Sequence, residues 1–511
     1  VYAPLAAIET HFLSMDGPVD LAAAIQESEI LVPALVLLEG RVEETSRSFN
    51  RIIAAIAEPV RGEGGVAVAD RRMLEELAAQ SFPLILDEIQ CGLGRCGSLL
   101  ASEGVRGAYY LLGKSLGGGL AKISAVLIER GRYVERFDEH YQSTFAGDGF
   151  SCAVALETLR VIREENIPAL AASRGESLRE RIEAVQREFP DVVGGVQGRG
   201  LMLGVDLHPA SATTSPLLRA AHAHEHLGLL AASYLLNRWK LRVLPTLSAP
   251  NMLRLEPSAF VDDAALGQLE AGLRALSTAI RERDLCELLG PLVEEESRLE
   301  SACIPEYPKA ALDGRIEAPA EGAIRIAFLN HFVVPERDLA FVEPSLGRLG
   351  PAALRALFHR FQGLMDLEPS LLFARNLFGG KVWFGSIMIP ADPATLEDMH
   401  RSGRQAFAVR RIQEALDFGA SLGCTVGTLG AYTSIVTDNG LQLRPPPGMK
   451  LSTGNALTVA VGASRVLRLC QRRGIDPGSP DTRLGILGAT GNIGTALATR
   501  LTGGSCPFRQ I

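Results

Sequence analysis

Two short apolar runs, each ended by a charged residue, constrain the fold of this chain most strongly. The run at residues 83–86 leads to Asp87, and the run at residues 109–113 leads to Lys114, which is followed by glycines at 117–119. Such runs are typical of buried parallel strands, which alternate with helices in an α/β fold. Because ligands bind beyond the carboxyl ends of parallel strands, we expect Asp87 and Lys114 to face one crevice.

Neighbouring patterns extend this sheet. Strands are predicted at residues 52–57, 84–87 and 108–112, and a helix at 70–80 connects the first two as a right-handed crossover requires. Glu58 follows the first strand, so three strand ends deliver Glu58, Asp87 and Lys114. Further helices are predicted at 147–165 and 177–189, and further strands at 201–207 and 252–255. A last helix begins near Asp262, which can cap it. The apolar stripe of the first of these helices is assigned to the core: Ala153, Leu156, Leu159 and Ile162.

A lysine and an aspartate in one crevice suit pyridoxal 5'-phosphate (PLP). This cofactor needs a lysine amine to hold it and an acidic partner to keep its pyridine nitrogen protonated. A partly buried Lys114 would lose its proton more readily than a solvated one. Taken alone, Lys114 would be better interpreted as a surface lysine and Asp87 as a helix cap. The motifs that surround the two residues overturn that interpretation.

Four motifs surround the pair, at residues 58–65, 87–97, 113–119 and 143–147. In order, spacing and identity they resemble the class III aminotransferases, of the fold type I PLP enzymes. Residues 198–204 and 251–255 match the small domain of that family. The resemblance implies a fold type I PLP transferase that works as a homodimer on a small-molecule amino donor.

The resemblance also implies roles for six residues. Lys114 would be the Schiff-base lysine, Asp87 the partner of the pyridine nitrogen, and Gln90 a contact near the ring hydroxyl. Thr144 would bind the cofactor phosphate of the neighbouring subunit. Glu58 would lie on the substrate side, and Arg254 would receive a substrate carboxylate. The chain departs from the family at Asp148 and Gly149, where Asn-Pro is usual. It also opens at Val1 without the family's earlier phosphate loop and ring-stacking aromatic residue, which we interpret as an N-terminal truncation.

A glycine-rich loop near the other end indicates a second cofactor. A strand is predicted at 483–487, then the loop Gly-Ala-Thr-Gly-Asn-Ile-Gly at 488–494, then a helix at 495–501. Glycines between a strand and a helix let the backbone approach a pyrophosphate, whose charge the helix N-terminus favours. The context favours dinucleotide binding over a tight turn. The residues assigned to this site are Gly488, Gly491, Asn492, Ile493 and Gly494.

Together with residues 429–435 and 452–458, this loop resembles the long-chain acyl-[acyl-carrier-protein] reductases, which form fatty aldehydes with NADPH. The resemblance covers residues 324–511 and implies NADP(H), with acyl-carrier protein or acyl-CoA as a partner. That family's acceptor cysteine would lie beyond Ile511, which leaves an incomplete Rossmann unit, and Cys424 and Cys470 are interpreted as structural. Ser452 or Thr453 either caps the following helix or contacts substrate. Strands are predicted at 324–329 and 381–389, and one or two helices at 396–422.

The predicted organisation has five parts. A partial PLP-binding large domain (1–155) and a small domain (156–285) are followed by a linker (286–322) rich in acidic residues and proline. A reductase-like α/β domain (323–480) then leads into the start of a Rossmann unit (481–511). An aldehyde released by the reductase would be converted by the aminotransferase to a primary amine. The alternatives are another fold type I activity, such as an aminomutase or decarboxylase, and a non-catalytic truncated homologue.

Composition excludes several other classes. The 511 residues carry a formal charge of -8 without a block of like charge, which argues against nucleic acid. No apolar run is long enough to span a membrane, and the cysteine spacing does not predict a metal site. The eight cysteines are scattered through the chain, as expected for reduced thiols in the cytosol.

Overall fold

The computed structural model describes residues 12–13, 21–38, 41–137, 146–210, 215–293, 313–479, 481–489 and 491–502. They form two compact units. The first comprises Val1–Ser211 and Glu225–Thr278, and the second comprises Ala212–His224 and Ala279–Ile511. None of the described helices is both long enough and apolar enough to cross a membrane.

The elements up to residue 281 are, in chain order, α1 (Leu21–Glu27), β1 (Glu29–Leu38), β2 (Arg41–Asn50), β3 (Ala55–Ala57), α2 (Arg71–Ala78), β4 (Leu84–Asp87), β5 (Tyr109–Leu112), β6 (Ala125–Ile128), α3 (Gly149–Glu164), α4 (Ile167–Glu188), β7 (Val193–Arg199), β8 (Met202–Leu207), α5 (Pro216–Ala223), α6 (Leu227–Trp239), β9 (Leu244–Pro245), β10 (Met252–Leu255) and α7 (Asp263–Arg281). Of these, α5 and the last turn of α7 lie in the second unit.

A four-stranded sheet in the order β3-β4-β5-β6 positions the predicted site. The first three strands run parallel and β6 is antiparallel to β5. Helix α2 connects β3 to β4, and the Asp70 side chain caps it by accepting the Arg72 N–H at 2.8 Å. Leu74 and Leu77 of α2 pack with Leu84 and Leu86 of β4 in one core cluster. The three predicted strands and their connecting helix are therefore confirmed.

A second, antiparallel sheet in the order β7-β8-β10-β9 completes the first unit, besides the hairpin of β1 and β2. The predicted strands at 201–207 and 252–255 correspond to β8 and β10. Asp262 accepts the N–H of Ala265 at 2.8 Å and so caps α7, as predicted. Helix α4 begins at Ile167, ten residues before the predicted start.

Of the four residues assigned to the core stripe of α3, only Ile162 is buried. Ala153 is exposed, Leu156 is 69% exposed and Leu159 is 38% exposed. Periodicity predicted a one-sided helix. It could not predict which apolar residues of that helix a neighbouring element would cover, because coverage depends on packing between distant segments.

The elements after residue 281 are α8 (Leu285–Leu289), β11 (Ile324–His331), α9 (Pro335–Val342), α10 (Pro351–Met365), β12 (Ser370–Leu377), β13 (Val382–Ile389), α11 (Pro393–Arg401), α12 (Gln405–Ser421), β14 (Val426–Leu429), α13 (Tyr432–Val436), β15 (Lys450–Ser452), α14 (Asn455–Arg473) and α15 (Asn492–Thr502).

The second unit is built on a five-stranded sheet in the order β12-β13-β11-β14-β15. Strands β11, β13, β14 and β15 are parallel, and β12 is antiparallel to β13. Ala327, Leu329 and Ile387 of the sheet pack against Ile412 and Leu416 of α12. The predicted strands at 324–329 and 381–389 and the two helices within 396–422 are confirmed.

A buried carboxyl ties α5 to the rest of the second unit. Glu343, fully buried, accepts hydrogen bonds from Ser215 Oγ (2.6 Å), the Leu217 N–H (3.1 Å) and Arg283 (3.2 Å). Burial raises the pKa of Glu343, and these donors and the Arg283 charge oppose that rise. Helix α5 is thereby fixed at its first turn.

The predicted strand at 483–487 is not formed. Residues 482–486 have no strand conformation, and the Leu487 side chain is fully exposed. A strand is stable only when a neighbour satisfies its backbone hydrogen bonds. None of the described strands pairs with this segment, so the Rossmann start predicted from it is not confirmed.

Candidate active site

Three neighbouring strand ends bring Glu58, Asp87 and Lys114 together. In the parallel pairing, Ala57 is opposite Leu86 and Asp87 is opposite Leu111, so β3, β4 and β5 end side by side. Burial raises the pKa of Glu58; the charge of Asp87 raises it further, whereas the Gly62 N–H and the charge of Lys114 lower it. The three strand ends that carry these residues are therefore neighbours in the sheet, as predicted, and the shared crevice stays a prediction.

Lys114 is held by Gln90. Its Nζ donates a hydrogen bond to Gln90 Oε1, so the side chain assigned to the ring hydroxyl contacts the lysine itself. Lys114 is exposed, so the predicted partial burial is wrong. The reason is local: Lys114 begins a 3₁₀ turn, Lys114–Gly117, in which Leu116 and Gly117 take the buried positions.

Gly62 makes room for this contact. A Cβ atom at position 62 would lie 2.3 Å from Gln90 Oε1 and 2.7 Å from Gln90 Cδ. The Gly62 N–H donates to Glu58 Oε2 at 2.9 Å. The glycine in the first motif therefore lets the Gln90 side chain run beside the backbone that also holds Glu58.

Arg254 lies between two carboxylates that the sequence interpretation did not assign. Its Nη1 is 2.5 Å from Glu63 Oε1, and its Nε is 3.2 Å from Glu256 Oε2. Burial raises the pKa of Glu63, but Arg254 and the Leu247 N–H together hold it below its ordinary value. In the sequence, Glu63 lies within the first motif and Glu256 lies two residues after Arg254. No local sequence pattern indicates that either carboxylate pairs with Arg254.

Glu256 connects the arginine to the lysine. Its Oε1 accepts a hydrogen bond from Gln90 Nε2 at 2.9 Å, and Gln90 in turn accepts from Lys114. A continuous polar row thus runs from Lys114 through Gln90 and Glu256 to Arg254 and Glu63. A ligand carboxylate that binds Arg254 must compete with Glu63 and Glu256.

Glu88 anchors the loop that follows Asp87. It is 1% exposed and accepts hydrogen bonds from the Ala101 N–H (2.8 Å), the Ser102 N–H (2.8 Å) and Ser102 Oγ (2.6 Å). Successive side chains of a strand point to opposite faces, so Glu88 points inward where Asp87 ends the strand. The sequence interpretation did not give Glu88 a role, although this alternation could have revealed one.

An apolar cavity of about 720 Å³ adjoins the turn that begins with Lys114. Ser115 of that turn and Gly118, which follows it, line the cavity together with apolar side chains of α3, among them Phe150 and Val154. A volume of this size suits a small organic ligand, since such sites range from roughly 300 to 1,000 Å³.

The glycine loop of the second unit has close backbone packing. A Cβ atom on Gly494 would lie 2.1 Å from the Gly488 carbonyl oxygen, and the Gly491 N–H donates to that oxygen at 3.0 Å. Helix α15 begins at Asn492, so Asn492, Ile493 and Gly494 form its first turn. The Asn492 side chain donates to Asn439 Oδ1 at 2.6 Å. The loop therefore leads directly into a helix N-terminus, as predicted.

Three other assignments have mixed outcomes. Thr144 lies outside the described residues. Ser452 Oγ accepts the Gly454 N–H at 3.1 Å, one residue before α14, but no side chain caps that helix, so the capping alternative is not confirmed. Cys424 and Cys470 are buried, as expected for structural thiols. Among the described residues, no group of three or more His, Cys, Asp or Glu side chains is arranged to hold a metal ion.

Comparison with known proteins gives one family. Residues 12–266 match the family model described as aminotransferase class-III. Similar solved structures include a transaminase with L-ala (27% identity, TM-score 0.39), the ornithine aminotransferase from Toxoplasma gondii ME49 (28%, 0.36) and a PLP-bound amine transaminase from an uncultivated Pseudomonas species (28%, 0.39). These matches cover 45%, 45% and 44% of this chain and 55%, 52% and 52% of the respective structures. The chain thus spans about half the length of the solved structures it matches.

Proposed function

Since residues 12–266 belong to the class III aminotransferase family, we propose that the first unit is a PLP-dependent aminotransferase that converts an aldehyde to a primary amine. The convergence of Glu58, Asp87 and Lys114 at three strand ends carries this proposal. An amine and a carboxylate at neighbouring strand ends are the pair that PLP requires, and Glu58 lies at the next strand end. The apolar cavity beside the Lys114 turn suits the alkyl chain of an aldehyde.

The residues of the crevice would divide the chemistry. When bound, PLP supplies an electron sink for the carbanion that forms at the substrate carbon. Asp87 would hold the proton of the pyridine nitrogen. Lys114 Nζ would take a proton from the substrate carbon and return it as general base and acid. Gln90 would orient the lysine through the hydrogen bond to Nζ, and Thr144 would contact the phosphate in a homodimer.

Arg254 would bind the carboxylate of an amino donor. In the described structure it is bridged to Glu63 and Glu256, so a donor carboxylate must displace at least one of them. An aldehyde has no carboxylate and leaves the bridges in place. The row from Lys114 to Glu63 therefore allows one site to take substrates with and without a carboxylate, with Glu58 on the substrate side of the lysine.

We further propose that the second unit binds NADP(H) and belongs to an acyl-thioester reductase that supplies the aldehyde. Asn492, Ile493 and Gly494 would hold the pyrophosphate through backbone N–H groups at the start of α15, and Gly488 and Gly491 would form the loop that brings the backbone close to it. The close approach of Gly494 to the Gly488 carbonyl supports this proposal. The thioester would come from acyl-carrier protein or acyl-CoA.

Trapping of PLP tests the first proposal. Incubation with PLP followed by borohydride reduction should add the phosphopyridoxyl mass to the peptide that contains Lys114. The Lys114→Ala variant should lose this label and lower amino-group transfer by at least about 10³-fold, as loss of a covalent catalyst does. Lys122→Ala, eight residues away and also exposed, is the matched control and should keep both. Equal labelling of several lysines would contradict the assignment.

Amino-group exchange with an α-keto acid separates transamination from the two other fold type I reactions. An aminomutase or a decarboxylase would not transfer the amino group to the keto acid. If labelled nitrogen stays on the carbon skeleton of the donor, the aminotransferase proposal is wrong even though PLP binds at Lys114.

A further inference from the structure

Three side chains in the second unit form a hydrogen-bonded row outside both sites described above. His224, at the C-terminal end of α5, has its Nδ1 2.5 Å from Glu368 Oε2 and its Nε2 3.0 Å from Ser370 Oγ. Glu368 and Ser370 flank Pro369 where the chain enters β12. The His224 side chain is only 16% exposed. Because 144 to 146 residues separate the histidine from its partners, no local sequence pattern could have shown this row.

The order of the three groups is that of a nucleophile, a base and an orienting acid. A carboxylate beside Nδ1 accepts the Nδ1–H and fixes the neutral tautomer, so the Nε2 lone pair points to the serine hydroxyl. The distance between Nε2 and Ser370 Oγ falls in the hydrogen-bonding range of about 2.6–3.2 Å that activates a serine in such an arrangement.

Anchoring of α5 to the sheet does not require this row. Arg219 of α5 donates to the carbonyl oxygen of Leu372 in β12 at 2.7 Å, and Glu343 holds the first turn of α5 through Ser215 and the Leu217 N–H. The histidine, glutamate and serine are therefore available for another role.

The row lines a cavity of about 590 Å³. Its wall combines apolar side chains such as Ile316 and Phe418 with the guanidinium groups of Arg219 and Arg411. The Arg411 guanidinium donates to Glu414 and Asp366, so its charge is compensated within the protein. A cavity of this volume is within the range of roughly 300 to 1,000 Å³ for small-molecule sites.

We propose that Ser370, His224 and Glu368 form an acyl-transfer site that hydrolyses small carboxylic esters or thioesters. Ser370 Oγ forms a bond to the carbonyl carbon while its proton passes to His224 Nε2. The bond to the leaving alcohol or thiol then breaks, and the leaving group takes the proton from His224. Water, deprotonated by His224, attacks the acyl group, releases the acid and restores the Ser370 hydroxyl.

The third residue of the row assists these steps. Glu368 acts through His224 and is a positioning residue, because it fixes the tautomer and stabilises the imidazolium that forms.

Hydrolysis of p-nitrophenyl acetate and butyrate by the full chain, without PLP or NADPH, tests this site independently of the proposed aminotransferase. A fluorophosphonate probe should label the peptide that contains Ser370. Ser370→Ala should abolish that label, and both Ser370→Ala and His224→Gln should lower kcat/KM at least about 100-fold, the lower end for loss of acid-base catalysis. Glu368→Gln should lower kcat about tenfold or more with KM unchanged, and Glu368→Asp should restore part of it. A purely structural role would not give that split.

Ser421→Ala is the matched control, because Ser421 is an exposed serine of the same unit whose Oγ donates to the Phe418 carbonyl. It should keep the wild-type rate and label. Circular dichroism should show the same fold for all variants. The proposal is overturned if Ser370→Ala, correctly folded, hydrolyses both esters at the wild-type rate, or if the probe labels another serine instead.

Discussion

Replacing Gly62 with alanine places a methyl group where the Gln90 side chain runs. The new Cβ atom would lie 2.3 Å from Gln90 Oε1, well inside van der Waals contact, so Gln90 must move. Its hydrogen bonds to Lys114 and to Glu256 are then lost. Hydrogen bonds to charged groups contribute about 1.5–3 kcal/mol each when buried. Because these two hydrogen bonds are partly exposed and water can replace them, we expect the free energy of unfolding to fall by only about 1–2 kcal/mol.

Two measurements follow from that figure. Urea unfolding, monitored by hydrogen exchange in peptides of the first unit, should show Gly62→Ala less stable by about 1–2 kcal/mol. If Gln90 orients Lys114 for the cofactor, more PLP should be needed to label Lys114. The PLP concentration that gives half of the maximal label after borohydride reduction should rise about 5- to 30-fold, which is the ratio that corresponds to about 1–2 kcal/mol. Peptides of the second unit should exchange as in the wild type.

Gly267→Ala is the matched control. Gly267 lies inside α7, and a Cβ atom there would meet only Arg181 Nη1, at 4.0 Å. Alanine in a helix interior should stabilise the first unit by about 0.5–1 kcal/mol without changing the PLP label. If Gly62→Ala keeps wild-type stability and labelling, the contact between Gln90 and Lys114 does not have the role argued here.

Two further predictions concern the carboxyls of the crevice. Glu256→Gln removes one of the two carboxylates that bind Arg254. The KM for a keto acid should therefore fall about 3- to 10-fold, which corresponds to about 0.7–1.4 kcal/mol, and the KM for an aldehyde should stay unchanged. Equal changes in both KM values would contradict competition at Arg254. Burial raises the pKa of Glu58, so this carboxyl binds more protons in the folded state than in the unfolded state. The stability that Glu58 contributes is therefore present below its pKa in the unfolded state. That stability is lost as the pH rises through the higher pKa of the folded state. In Glu58→Gln, the stability of the first unit should therefore fall less steeply with pH above about pH 4, where the unfolded carboxyl titrates. Urea unfolding at a series of pH values measures this dependence. An unchanged slope of stability against pH would show that Glu58 is not the group responsible.

The sequence alone determined the parts of the site that local patterns control. Three apolar runs predicted β3, β4 and β5, and the crossover rule made them parallel, so Glu58, Asp87 and Lys114 had to end at one edge. Asp262 predicted the start of α7 because a cap depends on the next three residues only. In each case the physical cause lies within one strand, one turn or one crossover.

Only the tertiary structure decided which distant groups meet. Lys114 is exposed because of the turn that follows it, and Leu156 is exposed because the described structure leaves its face of α3 uncovered. Residues 482–486 are not a strand, since none of the described strands supplies the hydrogen bonds that an apolar run needs. The pairings of Arg254 with Glu63 and of His224 with Glu368 join residues more than 140 positions apart. Such contacts depend on how separate elements pack, which the order of residues along the chain does not reveal.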